Sequence, residues 1–334
     1  MDVQLSPEAL EFGRQARRAF ELAGGDALLQ RAEQHPHLRR ELIEPILDSL
    51  GAWDLAPRRD ADELEAAAAL CRSAGYWAVP YPVAERMARP DHADSGGRVP
   101  DGLVVIAEQD PHGPLTELNF HWAAVTLDGT LGNVAVTQMT SPPRQTAFST
   151  PLAWHPVEQT AAGPEEVAGR RDGTLDLALA LVLPCWALLG MLDRAMDLAR
   201  AHVLVREQFG RPLAEFQAVQ FQLTDAEVER RGVDMLARYA LYAIASGSPE
   251  MVEDALALRL AALEAAEIVF RVAHQLHGAL GFCDESPLSW VSRYSLPLRR
   301  FPLGIAATGE LLSRRIGRRG LTGLFSGPVN VKGA

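Results

Sequence analysis

REQFGRPLAEFQAVQ, residues 206–220, interrupts a helical run with Gly210 and Pro212 and restarts it at Phe216. It sets the guanidinium of Arg206 near the amides of Gln208 and Gln217 and the rings of Phe209 and Phe216 in sequence. Taken alone, the stretch reads as an ordinary helix–turn–helix with Arg206 on its surface. Further along, HQLHGALGF, residues 274–282, ends a helix on Gly278 and Gly281. Taken alone, this is a glycine stop. His274 and His277 stand three residues apart; with no third ligand nearby, they read as a helix-surface pair rather than a metal site.

Upstream of the first stretch lies LALALVLPCWALLGML, residues 177–192. It carries no charge but is shorter than the ~20 residues that a bilayer span needs, and charged Asp193 and Arg194 follow it. A helix buried in a bundle is the expected reading. The spacing predicts one long helix over Leu175–Gln208, bent at Pro184. It predicts a second from about Phe216 to Ser246, a third over Met251–Leu280 started by Ser248-Pro249-Glu250, and a last over Ile305–Ile316.

The first ninety or so residues are also helical in pattern. Ser6 caps a start with Pro7 in the first helical position. Leu42, Ile43, Ile46, Leu47 and Leu50 recur at helical spacing, as do Leu64, Ala67, Ala68 and Cys71. Between Pro90 and Asp172 the texture changes to Gly, Pro, Thr and Val. Leu103–Ala107, Ala123–Leu127 and Asn133–Gln138 read as strands, with turns at Asp128-Gly129 and Gly132-Asn133. The domains expected are therefore 1–90, helical; 91–173, a small β domain; 174–320, a helical bundle; and a tail, 321–334.

A net charge of −11 over 334 residues argues against nucleic acid as a partner, since phosphate backbones call for a basic face. Arg299, Arg300, Arg314, Arg315, Arg318 and Arg319 do cluster late; they form either a solvated face or a surface for an anionic ligand or acidic partner. The three cysteines are scattered without metal-site or disulfide spacing and fit a reducing compartment. With no secretory pattern at the start, a cytoplasmic location and no membrane association are expected.

The two quoted stretches resemble the flavin-contacting motifs of the acyl-CoA dehydrogenase family, and LGAWDL and AGYWAVPYPV are similar, more loosely, to its N-terminal helical domain. The resemblance implies an α+β, mostly helical fold: an N-terminal helical domain, a small middle β domain and a C-terminal four-helix bundle. It implies FAD as cofactor. Arg206 matches the arginine that binds the pyrophosphate; Gln208, Phe209, Phe216 and Gln217 match the residues beside it. Gln275, Gly278, Gly281 and Phe282 match the second motif, with Ala279 in place of a glycine.

Two departures shape the expected function. The family's catalytic glutamate falls at Pro302, and its alternative base position falls near Ala180; neither can abstract a proton. The family's Trp-x-Thr/Ser turn at the flavin ring has no clear counterpart, and Trp122 reads as a core residue. The chain thus resembles the shorter, base-lacking subunit of bacterial α2β2 acyl-CoA dehydrogenases, including those acting on steroid side-chain thioesters. The implied role is to hold the adenosine half of an FAD shared with a homologous catalytic partner that carries most of the acyl-CoA site. Two alternatives stand beside it: a homomeric flavoenzyme with another base, for which Glu267 and Glu310 are candidates, and a flavin-free structural subunit.

Overall fold

The computed structural model describes residues 4–91, 97–107, 112–113, 120–136, 150–156 and 173–319. The chain begins with helices α1 (Pro7–Leu22), α2 (Asp26–Gln34), α3 (Arg39–Ser49), α4 (Ala61–Tyr76) and α5 (Val83–Met87). Their starts follow from local chemistry. The Ser6 hydroxyl accepts the Ala9 amide hydrogen and Pro7 takes the first turn, where its missing N–H costs nothing. The Asp60 carboxylate accepts from the amides of Asp62 and Glu63, at 2.9 and 3.0 Å, and so opens α4.

A five-stranded sheet follows: β1 (Gly102–Ile106), β2 (His112–Gly113), β3 (Trp122–Thr126), β4 (Leu131–Val136) and β5 (Thr150–Pro156), in the order β1-β3-β4-β5-β2. β1 runs parallel to β3, and the other pairs are antiparallel. Trp122 is 1% exposed, as a core residue should be, and meets Phe120 edge to face at 5.6 Å. The turn expected at Gly132-Asn133 is instead strand: these residues pair with Ala124 and Ala123. The chain has already reversed at Asp128-Gly129, where Gly129 takes a φ of +90° and the Asp128 carboxylate accepts the Thr130 amide hydrogen. That turn leaves no reversal for the second pair to make. Residues 137 and 138 of the third expected strand lie outside the described residues, as does the tail from 320.

The C-terminal half is built on α6 (Thr174–Val205). A short hairpin, β6 (Glu207–Gln208) and β7 (Arg211–Pro212), leads to α7 (Gln217–Ala245), α8 (Met251–His277), α9 (Pro287–Arg300) and α10 (Ile305–Arg319). α6 packs against α4, α7, α8 and α9, and 83% of its apolar window is buried, as expected of a bundle core. Two expectations are corrected here, and one helix was not expected. α6 stops at Val205 rather than Gln208, because the backbone turns extended at Arg206 to enter the hairpin. α8 stops at His277, where Gly278 adopts a φ of +61° and a 3₁₀ turn, Gly278–Phe282, begins. α9 was hidden by two prolines. Pro287 opens the helix and Pro297 falls in its last turns, so neither breaks the part that matters.

α4 and α6 touch backbone to backbone. A Cβ on Gly75 would lie 1.9 Å from the Ala187 carbonyl oxygen, and one on Gly190 would lie 1.9 Å from that of Arg72; only glycine permits the crossing. Around it runs an ionic lattice. Arg72 donates to both oxygens of Asp193, at 2.7 and 3.1 Å, and to Asp234 at 2.6 Å. Arg230 reaches Asp193 from α7 at 2.8 Å, and Arg194 pairs with Asp26 of α2 at 2.6 Å. Hydrophobic burial holds these helices together; the ion pairs fix their register.

Candidate functional site

The two quoted stretches lie at the end of α6 and the end of α8. In the first, Glu207–Gln208 pair with Arg211–Pro212 across a two-residue turn in which Phe209 and Gly210 have φ of +54° and +79°. Two successive left-handed residues give the turn whose twist suits a hairpin. Glycine adopts that conformation freely, but a phenylalanine is an outlier there. The turn holds Phe209 93% exposed. The Arg206 carbonyl accepts the Leu213 amide hydrogen at 2.8 Å, closing the hairpin at its base. Phe216 is half-buried, with the Arg211 guanidinium 4.2 Å over its ring and Phe209 edge-on at 6.2 Å. Gln217 is the first residue of α7, whose N-terminus has no side-chain cap and so leaves amide donors open.

The side chains of Arg206, Gln208, Gln217 and Gln275 are exposed, and none has a side-chain partner among the described residues. Gln220, by contrast, is spent on the hairpin, donating to the Ala214 carbonyl at 2.9 Å. In the second stretch, Gly278 and Ala279 are exposed in the 3₁₀ turn, with open space where a Gly278 Cβ would go. Gly281 is buried; a Cβ there would lie 3.0 Å from that of His277 and 3.1 Å from His274 Nδ1.

His274 and His277 are not a plain surface pair. His274 stacks on Phe282 with ring centroids 4.4 Å apart. His277 stacks on His202 of α6, also at 4.4 Å and nearly parallel, and so ties the second stretch to the end of the helix that leads into the first. The Ala273 carbonyl, 2.8 Å from His277 Nδ1, can only accept, which puts the neutral ring's proton on Nδ1. Burial, first of all, holds all three histidines below the ordinary pKa; His277 adds to this at His202 and His274, and Arg206 at His202. The sequence signal for His202 was present, one helical turn before Arg206, but its partner is 75 positions away.

Neither base position carries a titratable group. Ala180 is 8% exposed among the apolar residues of α6. Pro302 sits in the turn between α9 and α10, and that turn is fastened by Arg259 of α8. This arginine, 3% exposed, donates to the carbonyls of Leu298 at 3.2 Å and of Phe301 and Leu303 at 2.6 Å each. Glu267 and Glu310 both lie on exposed helix faces, Glu310 against Arg314. The late arginines are largely occupied: Arg315 pairs with Glu253 at 2.9 Å and Arg299 lies over Phe270. The side chains of Arg318 and Arg319 lie outside the described residues. Among the described residues, no group of three His, Cys, Asp or Glu side chains is arranged to hold a metal ion.

One buried carboxyl escaped sequence reasoning. Glu85, on α5, is 7% exposed and lines a cavity of ≈ 90 Å³ together with Tyr81, Ala187, Met191, Tyr294 and Leu298. Burial pushes its pKa up to about 7. Lying within a proline-rich stretch of weak periodicity, it gave no sign of being interior.

Comparison with known proteins bears on this arrangement. The family model for the acyl-CoA dehydrogenase C-terminal domain matches residues 179–317. An acyl-CoA dehydrogenase of Mycobacterium tuberculosis, FadE27, is 31% identical over 258 residues; the alignment takes in 71% of this chain but only 57% of that relative. Among solved structures, the ChsE4–ChsE5 complex from Mycobacterium tuberculosis superposes with a TM-score of 0.67 at 18% identity, covering 95% of this chain and 98% of that one. A variant of the Tcur3481–Tcur3483 steroid ACAD gives 0.70 at 21% identity, covering 94% and 99%.

Proposed function

We propose, for a chain that has the acyl-CoA dehydrogenase fold and whose C-terminal bundle belongs to the acyl-CoA dehydrogenase family, a non-catalytic role in an FAD-dependent heteromer. In this reading the chain holds the adenosine and pyrophosphate half of a flavin, and a homologous partner supplies the ring site and the base. One observation carries it: the donors Arg206, Gln208 and Gln275 stand free on the surface, while Ala180 and Pro302 offer nothing that can take a proton.

The residues present suit that half of the cofactor. A forked guanidinium and several amides match a pyrophosphate and its flanking hydroxyls. The uncapped start of α7 favours negative charge. Gly278 leaves room for an approach to its backbone. All of these groups are exposed, so a second surface is needed to enclose a ligand. FAD, when bound, supplies the hydride acceptor for α,β-dehydrogenation of an acyl-CoA thioester; this chain's part is to anchor and orient. Likeness to a two-component complex and to a protein named as a steroid ACAD favours an α2β2 assembly and a steroid side-chain thioester as substrate class.

The test is expression alone and together with the homologous partner. The expected result is a colourless chain by itself and a yellow complex holding one FAD per heterodimer. A ratio near one FAD per polypeptide, or a complex without flavin, would overturn the reading.

Glu85 gives a second reading its footing. A carboxyl poised near neutrality beside a cavity against α6 is what a homomeric enzyme with a displaced base would use. Turnover by the pure chain that disappears in Glu85→Gln would favour that reading over the first.

A further inference from the structure

The proposed pyrophosphate seat has a neighbour that the motif residues do not account for. His202 lies one helical turn before Arg206, and its carbonyl accepts the Arg206 amide hydrogen at 2.9 Å. Its ring therefore sits at the C-terminal end of α6, where the helix dipole favours positive charge. His277 covers that ring at 4.4 Å from the second stretch. With Nδ1 of His277 committed to the Ala273 carbonyl, a proton gained by this ring goes to Nε2 and creates a new donor.

We infer that the stacked pair His202–His277 is a protonatable extension of the pyrophosphate seat, so that the chain takes up a proton when it takes up FAD. This rests on the proposed role of Arg206. The groups acting electrostatically on His202 are His277 and Arg206, beyond the end of α6, and on His277 the Ala273 carbonyl; no carboxylate figures among them. Without a ligand, burial, the neighbouring ring and the Arg206 charge all hold His202 neutral at neutral pH. A doubly negative pyrophosphate on Arg206 cancels that repulsion and adds attraction. One of the two rings then gains a proton; both do not, because two imidazolium ions in stacking contact repel each other. The pyrophosphate is a strong diacid and keeps both charges throughout, so the proton belongs to the protein.

The sign follows from linkage. The free pair titrates below the ordinary histidine pKa and the liganded pair above its own free value, so binding strengthens as pH falls through the interval between them. Proton uptake by a single site allows a change in FAD dissociation constant of up to about tenfold per pH unit there.

The experiment uses the assembled complex, deflavinated and titrated with FAD at pH 6, 7 and 8. Calorimetry at pH 7 in two buffers of different ionisation enthalpy counts protons directly. Expected are tighter binding at lower pH, net proton uptake, and loss of both in His277→Gln and in His202→Phe, whose folding is checked by thermal melts. A wild-type complex with no pH slope and no uptake overturns the inference without recourse to any variant, as does a slope that persists in both. Arg206→Ala separates the two layers of argument. If it leaves FAD binding intact, the proposed seat itself is wrong. If it weakens FAD binding while the wild type takes up no proton, only the histidine inference fails.

Discussion

At the crossing of α4 and α6, Arg72 meets two carboxylates and its side chain is 22% exposed. Beyond the far end of the same α6, Arg206 meets no carboxylate among the described residues and stands in solvent. Between them the difference is one of commitment. A guanidinium that is satisfied within the fold fixes a register and has nothing left to offer. One held out by a hairpin, flanked by equally idle amides, is available to something else. Ordinary surface arginines are also exposed, but they seldom come with idle Gln208 and Gln275, a phenylalanine in a left-handed turn and an uncapped helix start around them.

The hardest way to break this contrast is at the crossing itself. Gly190→Ala places a methyl group 1.9 Å from the Arg72 carbonyl oxygen, so α4 and α6 must part. A loss of about 3 kcal/mol or more is expected in chemical denaturation, with FAD affinity per folded complex unchanged. Loss of affinity without loss of stability would mean that the crossing reports on the site.

Glu85 supplies the next effect, and it depends on pH. Its folded pKa of about 7 lies above the ordinary 4.5, so its contribution to stability is complete below pH 4.5 and is lost as pH rises to about 7. About 3 kcal/mol is at stake. Glu85→Gln should flatten that part of the stability profile and melt higher than wild type at pH 8. Identical profiles would place the carboxyl in contact with water.

Smaller again is the direct comparison of the two arginines. Arg72→Ala leaves Asp234 to Arg238 and Asp193 to Arg230, strips each carboxylate of one partner, and should cost about 2–3 kcal/mol of stability. Arg206→Ala should leave the melting temperature alone and weaken FAD retention in the complex roughly tenfold to a hundredfold. Arg206→Lys should restore only part of it. Equal effects on stability would erase the distinction drawn between them.

Much of the fold could be read from local signals because its causes are local. The cap at Ser6, the turn at Asp128-Gly129, the stop at Gly278 and the apolar run of α6 each announce themselves within a few residues. What escaped was set from a distance or disguised. α9 carries prolines at both ends, and β5 is bounded by polar and proline residues that look like a loop. At the site, the punctuation of 206–220 was visible, but the ring stack that joins the end of α6 to 274–282 is a long-range contact with no local sign. Arg259 reads as a surface residue of α8 until the turn carrying Pro302 closes over it and supplies three carbonyls.

α6 is also a ruler. About 26 positions separate Ala180 from Arg206, close to 39 Å at the helical rise, longer than an extended flavin dinucleotide. On the proposed role of Arg206, a proton-abstracting group at one end and a pyrophosphate seat at the other would attend different molecules of cofactor, and a chain built on such a helix would be half of one site and half of another. The two halves can be inherited separately. Substitutions that empty one end leave the other untouched, so a duplicated gene can let its chemistry lapse and still be retained for its grip.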